Sequence, residues 1–301
     1  MTNVAVVARA GKTFGGGLDE LRLVLTKAGF PNPLWYDIPK SRLVGKYSRR
    51  AMSKGADVIF VWGGDGTVQR CIDAVAGTKA VIAILPAGTA NLFATNLNIP
   101  KDISKAVEIG LHGDRRSFDT GIANGEHFSV MAGAGLDALM IRDADAGLKD
   151  RFGRAAYLWT GAKNLKASPV KARVEVDGRR FHKGEISCVL AGNVKDVFGK
   201  VAVFDGSMPD DGRLEFGVVT AKSLRQWVRT VSTVVLGRSD DSPFVFTTRG
   251  KRMKVTFDKP TVYQLDGGVR KATTKLRIKI SPHSIKVCVP TSDSAGEGAH
   301  G

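Results

Sequence analysis

Short apolar runs that alternate with helical segments dominate the start of the chain, and this alternation constrains the fold more than any other feature. The runs at 56–62 (ADVIFVW) and 80–86 (AVIAILP) are almost wholly apolar, as is typical of strands covered on both faces. A helical pattern follows each run, and the same order begins with VAVVAR at 4–9 and an amphipathic helix at 18–29. Repeated strand–helix units predict a parallel sheet flanked by helices.

The pattern changes after about residue 115, where short strand-like runs become closely spaced. Asn-Gly at 124–125 and Asp-Gly at 177–178 each separate two such runs, which is typical of hairpins. Helical patterns interrupt the runs at 150–166 and 222–236. This part of the chain is therefore expected to form a mainly antiparallel β-sandwich.

These patterns predict two domains and a tail. The first is an α/β domain over 1–120, completed by a C-terminal strand near 284–290. The second is the β-sandwich, over 121–290. The polar, glycine-rich stretch at 291–301 is expected to be a flexible tail.

The segment VWGGDGTVQ at 61–69 carries the strongest functional signal, because a glycine-rich turn follows a buried strand and precedes a helix expected to open near Thr67. Its glycines are Gly63, Gly64 and Gly66. Such glycines let backbone N–H groups approach an anion closely, and the helix adds its positive end. Asp65 would repel a bare phosphate, so its presence favours a nucleotide bound together with Mg²⁺.

A second loop, ILPAGTANLFA at 84–94, repeats this arrangement after the next strand. Gly88 and Thr89 turn the chain, and Asn91 is placed to act as the N-cap of the following helix. Because the carboxyl ends of neighbouring parallel strands meet at one edge of a sheet, the two loops predict a two-sided clamp for phosphate or ribose.

GGDGT followed by PAGTAN resembles the catalytic domain of the diacylglycerol kinase family, especially its soluble bacterial lipid kinases and the sphingosine and ceramide kinases. SVMAGAGLDA at 129–138, PDDGRLEFGVV at 209–219 and VYQLDGG at 262–268 extend the resemblance over nearly all of 1–290. It implies an ATP- and Mg²⁺-dependent lipid kinase that phosphorylates a hydroxyl of diacylglycerol or a related lipid. The implied fold is an ATP domain like that of phosphofructokinase and NAD kinase, followed by a β-sandwich.

The resemblance also implies roles for individual residues. Gly63–Thr67 would hold the ATP phosphates with Asp65 in the Mg²⁺ network, and Gly88 and Thr89 would also lie at the nucleotide. A structural Mg²⁺ would bind Asp211, together with the carbonyls of Met208 and Arg213. Asp266 would be the base that accepts the proton of the lipid hydroxyl.

The chain departs from the family pattern in three regions, one of which is Ile38–Ser41, where the Thr usually found after the second strand is not evident. Gly268 stands where the family usually has Glu, two residues after the base, so a carboxylate that helps to organise the metal is missing. Arg9-Ala10-Gly11 replaces the usual Asn-Pro near the nucleotide.

Charge and cysteine usage bear on partners and compartment. The formal net charge is +16, and residues 141–301 carry 29 basic and 17 acidic side chains, which favours an anionic partner. With the resemblance, this indicates a lipid substrate at an anionic membrane surface, and no sequence signature points to nucleic acid. Three scattered cysteines, no signal peptide and no membrane-spanning apolar run predict a cytoplasmic protein, peripheral at the inner face of the membrane. The sequence leaves open whether the protein forms a homodimer.

Two alternatives remain at this point. One is an NAD kinase-like small-molecule kinase, which shares GGDGT, although the chain lacks the Asn-Glu pair expected for the NAD ribose. The other is a catalytically weak, basic membrane-binding protein that keeps a kinase fold. ATP turnover with and without lipid vesicles distinguishes the second from a lipid kinase.

Overall fold

The computed structural model of the chain describes residues 3–135, 169–195, 204, 206–235 and 242–291. The helix expected at 150–166 and residues 292–301 of the expected tail lie outside these ranges. Within them, no helix is both long enough and apolar enough to cross a membrane.

The chain divides into two compact units. One comprises Met1–Phe118 with His283–Gly301, and the other comprises Asp119–Pro282. The last strand of the chain thus begins in the second unit and ends in the first.

The first unit alternates strands and helices. Its strands are β1 (Val4–Arg9), β2 (Leu34–Ile38), β3 (Val58–Gly63) and β4 (Val81–Pro86). Its helices are α1 (Gly17–Lys27), α2 (Val44–Ser53), α3 (Asp65–Val75), α4 (Leu92–Asn96) and α5 (Ile103–His112), with a short 3₁₀ turn at Ser41–Leu43 before α2. Every residue of β3 and β4 is buried, which explains their continuous apolar sequence.

The strands of this unit form a parallel sheet in the order β4–β3–β1–β2. Residues 286 and 287 of the last strand pair with β4, also in parallel. Helix α3 begins at Asp65, earlier than expected from the sequence. The reason is that the carbonyl of Gly64 accepts the backbone N–H of Thr67 at 2.8 Å and of Val68 at 3.1 Å, so the first turn closes around the glycines.

The second unit consists mainly of antiparallel strands. They are β5 (Asp114–Ala123), β6 (Glu126–Phe128), β7 (Met131–Gly135), β8 (Val170–Val176), β9 (Arg179–Ile186), β10 (Cys188–Gly192), β11 (Leu214–Val219), β12 (Val245–Gly250), β13 (Arg252–Leu265) and β14 (Gly268–Val289), with helix α6 (Leu224–Val235) between β11 and β12. β5 and β14 run across the boundary between the units.

Strand β13 changes pairing partners along its length. Its first part pairs with β8, its last part pairs with β7, and both parts pair with β14. The register shifts between Thr256 and Thr261, a stretch that contains Pro260, which cannot donate a ladder hydrogen bond. Such an irregularity lets one strand pass from one sheet of a sandwich to the other.

A large apolar cluster in the second unit includes Phe128, Phe216, Val255 and Leu276, and a smaller one forms around Cys188, Val219 and Ala221. A parallel α/β unit followed by an antiparallel sandwich is the fold class that the sequence predicts, and this prediction is confirmed.

Candidate functional site

The sheet of the first unit changes winding direction at β1, which lies between β2 and β3. In open α/β sheets, ligands bind outside the carboxyl ends of the strands at such a switch point. The segments there are the loop after β1 and the turn at Gly63–Asp65, with the loop after β4 beside them. The glycine motif predicted from the sequence therefore lies at the edge where this fold binds ligands.

The two glycine loops touch each other directly. The backbone N–H of Ala87 donates to the carbonyl of Gly63 at 3.0 Å. A Cβ added at Gly64 would lie 3.1 Å from the Cα of Gly88, and one added at Gly88 would overlap the Cα of Gly64. Both positions must be glycine because the two backbones pass in contact.

Gly63 and Gly66 differ in what surrounds them. A Cβ at Gly63 would lie 2.5 Å from the side chain of Thr67, which is itself buried. A Cβ at Gly66 would meet no atom within 4 Å, and its φ lies outside the positive range that favours glycine. A glycine within a helix makes the protein less stable than an alanine at the same position. Neither packing nor backbone conformation therefore explains why residue 66 is glycine. Its missing side chain instead leaves open space beside the first turn of α3.

Asp65 is the first residue of α3, where the positive end of the helix stabilises a carboxylate. Its Oδ1 accepts the backbone N–H of Phe93 in α4 at 3.4 Å. The carboxylate therefore links the first turns of two helices. It is only partly buried, so it is also placed to contact a hydrated cation.

Asn91 precedes α4 but does not cap it, so the expected N-cap is wrong. Its backbone is left-handed, with φ of 49°, and its side chain makes no cap hydrogen bond. The carboxamide turns back instead: Oδ1 accepts the N–H of Gly88 at 2.8 Å, while Nδ2 donates to the carbonyls of Gly88 at 2.8 Å and Pro86 at 3.4 Å. Asn91 thus fixes the shape of the second glycine loop, whose Thr89 is exposed.

An aromatic pair supports the loop after β1, and sequence reasoning did not find it. Trp62, fully buried at the end of β3, donates from Nε1 to the carbonyl of Lys12 at 2.7 Å. Phe14 stacks on Trp62 with ring centroids 4.6 Å apart. The available signal was a Trp directly before the glycines, since a buried indole N–H needs an acceptor.

Asp266 lies in the second unit, in the turn between β13 and β14, with a left-handed φ of 44°. Its buried carboxylate accepts four hydrogen bonds. Oδ1 accepts the N–H groups of Val130 and Met131, both at 2.9 Å, and Oδ2 accepts the N–H and Oγ–H of Ser129 at 2.8 and 3.0 Å. Burial raises the pKa of the Asp266 carboxyl above its ordinary value, while these hydrogen bonds act in the opposite direction.

The residues predicted to hold a structural Mg²⁺ lie around the turn before β11. Oδ1 of Asp211 accepts the N–H of Arg213 at 2.9 Å, and Oδ2 forms an ion pair with Arg249, whose Nε lies 2.5 Å from Glu215 Oε1. Met208 is 56% exposed. The Arg249 guanidinium already supplies positive charge, so this carboxylate as it stands does not fit a divalent ion. Among the described residues, no group of three or more His, Cys, Asp or Glu side chains is arranged for a metal.

Gly268 lies under a guanidinium. A Cβ there would lie 2.8 Å from Nη1 of Arg270 and 3.2 Å from the carbonyl of Leu265. Nη1 donates to the carbonyl of Gly268 at 2.9 Å, and Nε of Arg270 donates to Glu126 Oε2 at 2.8 Å. A glutamate at 268 would have to displace this arrangement.

Two family models match the chain in sequence order. The diacylglycerol kinase catalytic domain matches residues 15–123, and the YegS C-terminal NAD kinase β-sandwich-like domain matches residues 130–289. The second match alone spans more than half of the chain. Between them, the models include every residue to which the sequence assigned a role.

Individual relatives agree. A diacylglycerol kinase of Bacillus subtilis (strain 168) is 29% identical over 224 residues, covering 73% of this chain and 74% of the relative. The structure of a putative diacylglycerol kinase from Bacillus anthracis (Sterne) superposes with a TM-score of 0.79 at 22% identity, covering 95% and 97% of the two chains.

An NAD kinase from Archaeoglobus fulgidus, solved in complex with ATP, gives a TM-score of 0.54 at 13% identity over 95% and 93% of the chains. At these identities the two structures show the shared fold alone. The family models, in contrast, match the sequence itself. The chain therefore belongs to the diacylglycerol kinase family, with a catalytic α/β domain followed by a YegS-type β-sandwich.

Proposed function

We propose that this chain transfers the γ-phosphoryl group of ATP to a hydroxyl of diacylglycerol or a related lipid, with Mg²⁺ as cofactor. The observation that carries the nucleotide part is Gly66, a helical glycine without a packing partner or a strained backbone. The space beside it borders the first turn of α3, where the positive end of the helix dipole favours phosphate.

Asp65 is the residue proposed to hold Mg²⁺. Mg²⁺ usually keeps several waters and binds through one or two carboxylates together with substrate phosphates, so a single partly exposed carboxylate at the phosphate end suffices. When bound, Mg²⁺ neutralises charge on the transferring phosphoryl group. Because Asp211 is paired with Arg249, the proposal does not include a second metal at that position.

Asp266 is proposed to accept the proton as the lipid hydroxyl oxygen attacks the γ-phosphorus and ADP leaves. The raised pKa that burial causes favours such a role, since a stronger base is a better proton acceptor at neutral pH. Three of the four donors on the carboxylate are backbone N–H groups, and the fourth is the Ser129 hydroxyl. Of these four, the hydroxyl is the one that rotation can withdraw, which opens one acceptor position on Oδ2.

The named relative that supports a lipid acceptor is the Bacillus subtilis diacylglycerol kinase. The test is transfer of radiolabelled phosphate from ATP to a panel of diacylglycerol, ceramide, sphingosine and monoacylglycerol in mixed micelles, with NAD as the control acceptor. Label on one lipid class and none on NAD is expected. Label on NAD alone would establish the NAD kinase-like alternative.

Asp65→Asn keeps the size of the side chain and removes its charge. Under the proposal, this variant loses most lipid phosphorylation, and higher Mg²⁺ concentration restores part of it. Unchanged phosphorylation by Asp65→Asn would refute the metal assignment, even if the parent is a lipid kinase.

A further inference from the structure

Four adjacent strands of the second unit, in the order β9–β8–β13–β14, present one outward face that is predominantly cationic. The alternation is regular, because Val174, Val255 and Leu276 point into the core while their chain neighbours are exposed or partly exposed. We define the basic face by its exposed cations: Lys171, Arg173, Arg180, Lys183, Arg252, Lys254, Lys275, Arg277 and Lys279.

Like charges lie directly opposite one another across neighbouring strands of this face. Arg252 pairs in register with Lys279, and Lys254 with Arg277. On the next pair of strands, Arg173 lies opposite Lys183. Directly opposed like charges destabilise a sheet. The arrangement therefore lowers the stability of the folded sheet, and an external anion bound to the face would offset the repulsion.

The acidic side chains of the face neutralise little of this charge. Glu175 lies 2.7 Å from Nε of Arg173 and 3.5 Å from Nζ of Lys254. Glu185 is bound at 2.5 Å by Lys222, which comes from outside the four strands. Within the described part of the chain, no carboxylate forms an ion pair with Arg252, Arg277 or Lys279.

The arrangement of charge selects the partner. Neighbouring strands lie about 4.8 Å apart, so cations on four strands form a two-dimensional array rather than a line along a groove. None of the outward positions in register on these strands is aromatic, as far as the described residues extend. Stacking on single-stranded bases requires aromatic side chains. An extended anionic surface matches the array.

We propose that the basic face docks on the anionic surface of a lipid bilayer. The inference rests on the proposed function only in that a lipid kinase must reach substrate held in such a surface. Each Lys or Arg near anionic lipid strengthens binding about five-fold, and the attraction weakens within a Debye length as salt increases.

The test compares two full-length variants of equal net charge. The face variant carries Arg252→Gln, Arg277→Gln and Lys279→Gln. The scattered variant carries Lys40→Gln, Lys79→Gln and Lys101→Gln, three exposed lysines of the first unit. Binding is measured by co-sedimentation at about 0.1 M salt. One set of vesicles is phosphatidylcholine with about 30% phosphatidylglycerol, and the other is pure phosphatidylcholine.

The parent and the scattered variant are expected to bind the anionic vesicles with similar affinity. The face variant is expected to bind on the order of 100-fold more weakly, as three charges each contribute about five-fold. Equal binding by the two variants, or equal binding of the parent to neutral vesicles, would overturn the proposal. Tighter binding of the parent to duplex DNA than to anionic vesicles would assign the face to nucleic acid instead.

Kinase activity on a short-chain, water-soluble diacylglycerol separates this proposal from the proposed function. The face variant is expected to keep this activity while losing activity on vesicle-borne lipid. A parent that binds anionic vesicles through the face but phosphorylates no lipid would refute the proposed function and leave the docking surface intact. A parent that phosphorylates lipid while the face variant still binds vesicles would refute the docking surface alone.

Discussion

Gly66 is the residue at which stability and ligand binding oppose each other. Alanine there would meet open space, so Gly66→Ala is expected to raise the free energy of unfolding by about 0.5–1 kcal/mol. The added methyl group narrows the space beside the first turn of α3, and the KM for ATP is expected to rise at least ten-fold. Urea unfolding and steady-state kinetics measure the two effects.

Gly45 provides the matched control, since it is the second residue of α2 just as Gly66 is the second residue of α3. A Cβ at Gly45 would make only ordinary contacts, at 3.5 Å or more. Gly45→Ala should therefore give a similar gain in stability and an unchanged KM. If Gly66→Ala also leaves the KM unchanged, the open space is not a nucleotide site.

Asp266 combines an anchoring role with the proposed role of proton acceptor. In Asp266→Asn, the Nδ2 group would face N–H donors from 129–131, leaving at least one of them buried without an acceptor. The expected loss is about 2–4 kcal/mol of unfolding free energy. Single-turnover phosphorylation by the folded fraction should fall at least 100-fold if the carboxylate accepts the proton.

Ser129→Ala separates the two roles of Asp266, because it removes one of the four donors and keeps the carboxylate. It is expected to cost about 0.5–1.5 kcal/mol of stability and to leave the single-turnover rate within three-fold of the parent. The two single-turnover rates are compared well below the melting temperatures of the variants. If Asp266→Asn and Ser129→Ala have equal rates, Asp266 has the anchoring role alone.

At the scale of elements, the loop between β4 and α4 depends on one side chain. Asn91→Ala removes three hydrogen bonds to Gly88 and Pro86 and keeps a left-handed backbone that alanine disfavours. We expect a loss of about 2–4 kcal/mol of unfolding free energy. ATP affinity should also fall, since Gly88 lies against Gly64.

Asn98, at the other end of α4, is the control for backbone strain. It too is left-handed, with φ of 56°, but it is exposed. Asn98→Ala should cost only about 1–2 kcal/mol and leave ATP affinity unchanged. A matching loss of ATP affinity in both variants would mean that α4 as a whole, rather than the Asn91 carboxamide, shapes the loop.

The elements also show how far the sequence could be interpreted. The buried strands β3 and β4 could be predicted, because a continuous apolar run is typical of a strand in a sheet covered on both faces. The side-chain direction of Asn91 does not follow, because the same residue type serves as an N-cap in extended backbone and as a loop clamp in left-handed backbone. Likewise, the four donors to Asp266 come from residues more than 130 positions away, and no local pattern encodes such a contact.

At the scale of the whole molecule, the sequence predicted short antiparallel strands in the second unit, but it could not show that cations on β8, β9, β13 and β14 oppose one another. That depends on strand register, which follows from pairings between distant segments. The metal residues illustrate the same difficulty: Asp211 is close in sequence to Met208 and Arg213, while its ion-pair partner is Arg249.

The net charge of +16 and its concentration on the basic face make the stability of the whole chain depend on salt. Repulsion among like charges is screened as the Debye length falls from about 30 Å at 0.01 M to about 8 Å at 0.15 M. The melting temperature of the parent is therefore expected to rise over this range, as measured by differential scanning calorimetry. The face variant should begin about 1–4 °C higher, because it removes two opposed pairs worth about 0.2–1 kcal/mol each, and should rise less with salt.

The scattered variant has the same net charge as the face variant but keeps all three opposed pairs, so it isolates local repulsion from total charge. Its melting temperature at low salt is expected to lie close to that of the parent. If the two variants shift equally, total charge accounts for the salt dependence and the opposed pairs add nothing. If the face variant alone is stabilised, repulsion among the opposed cations lowers the stability of the unbound protein. An anionic bilayer bound at the basic face would relieve that repulsion, which strengthens binding there.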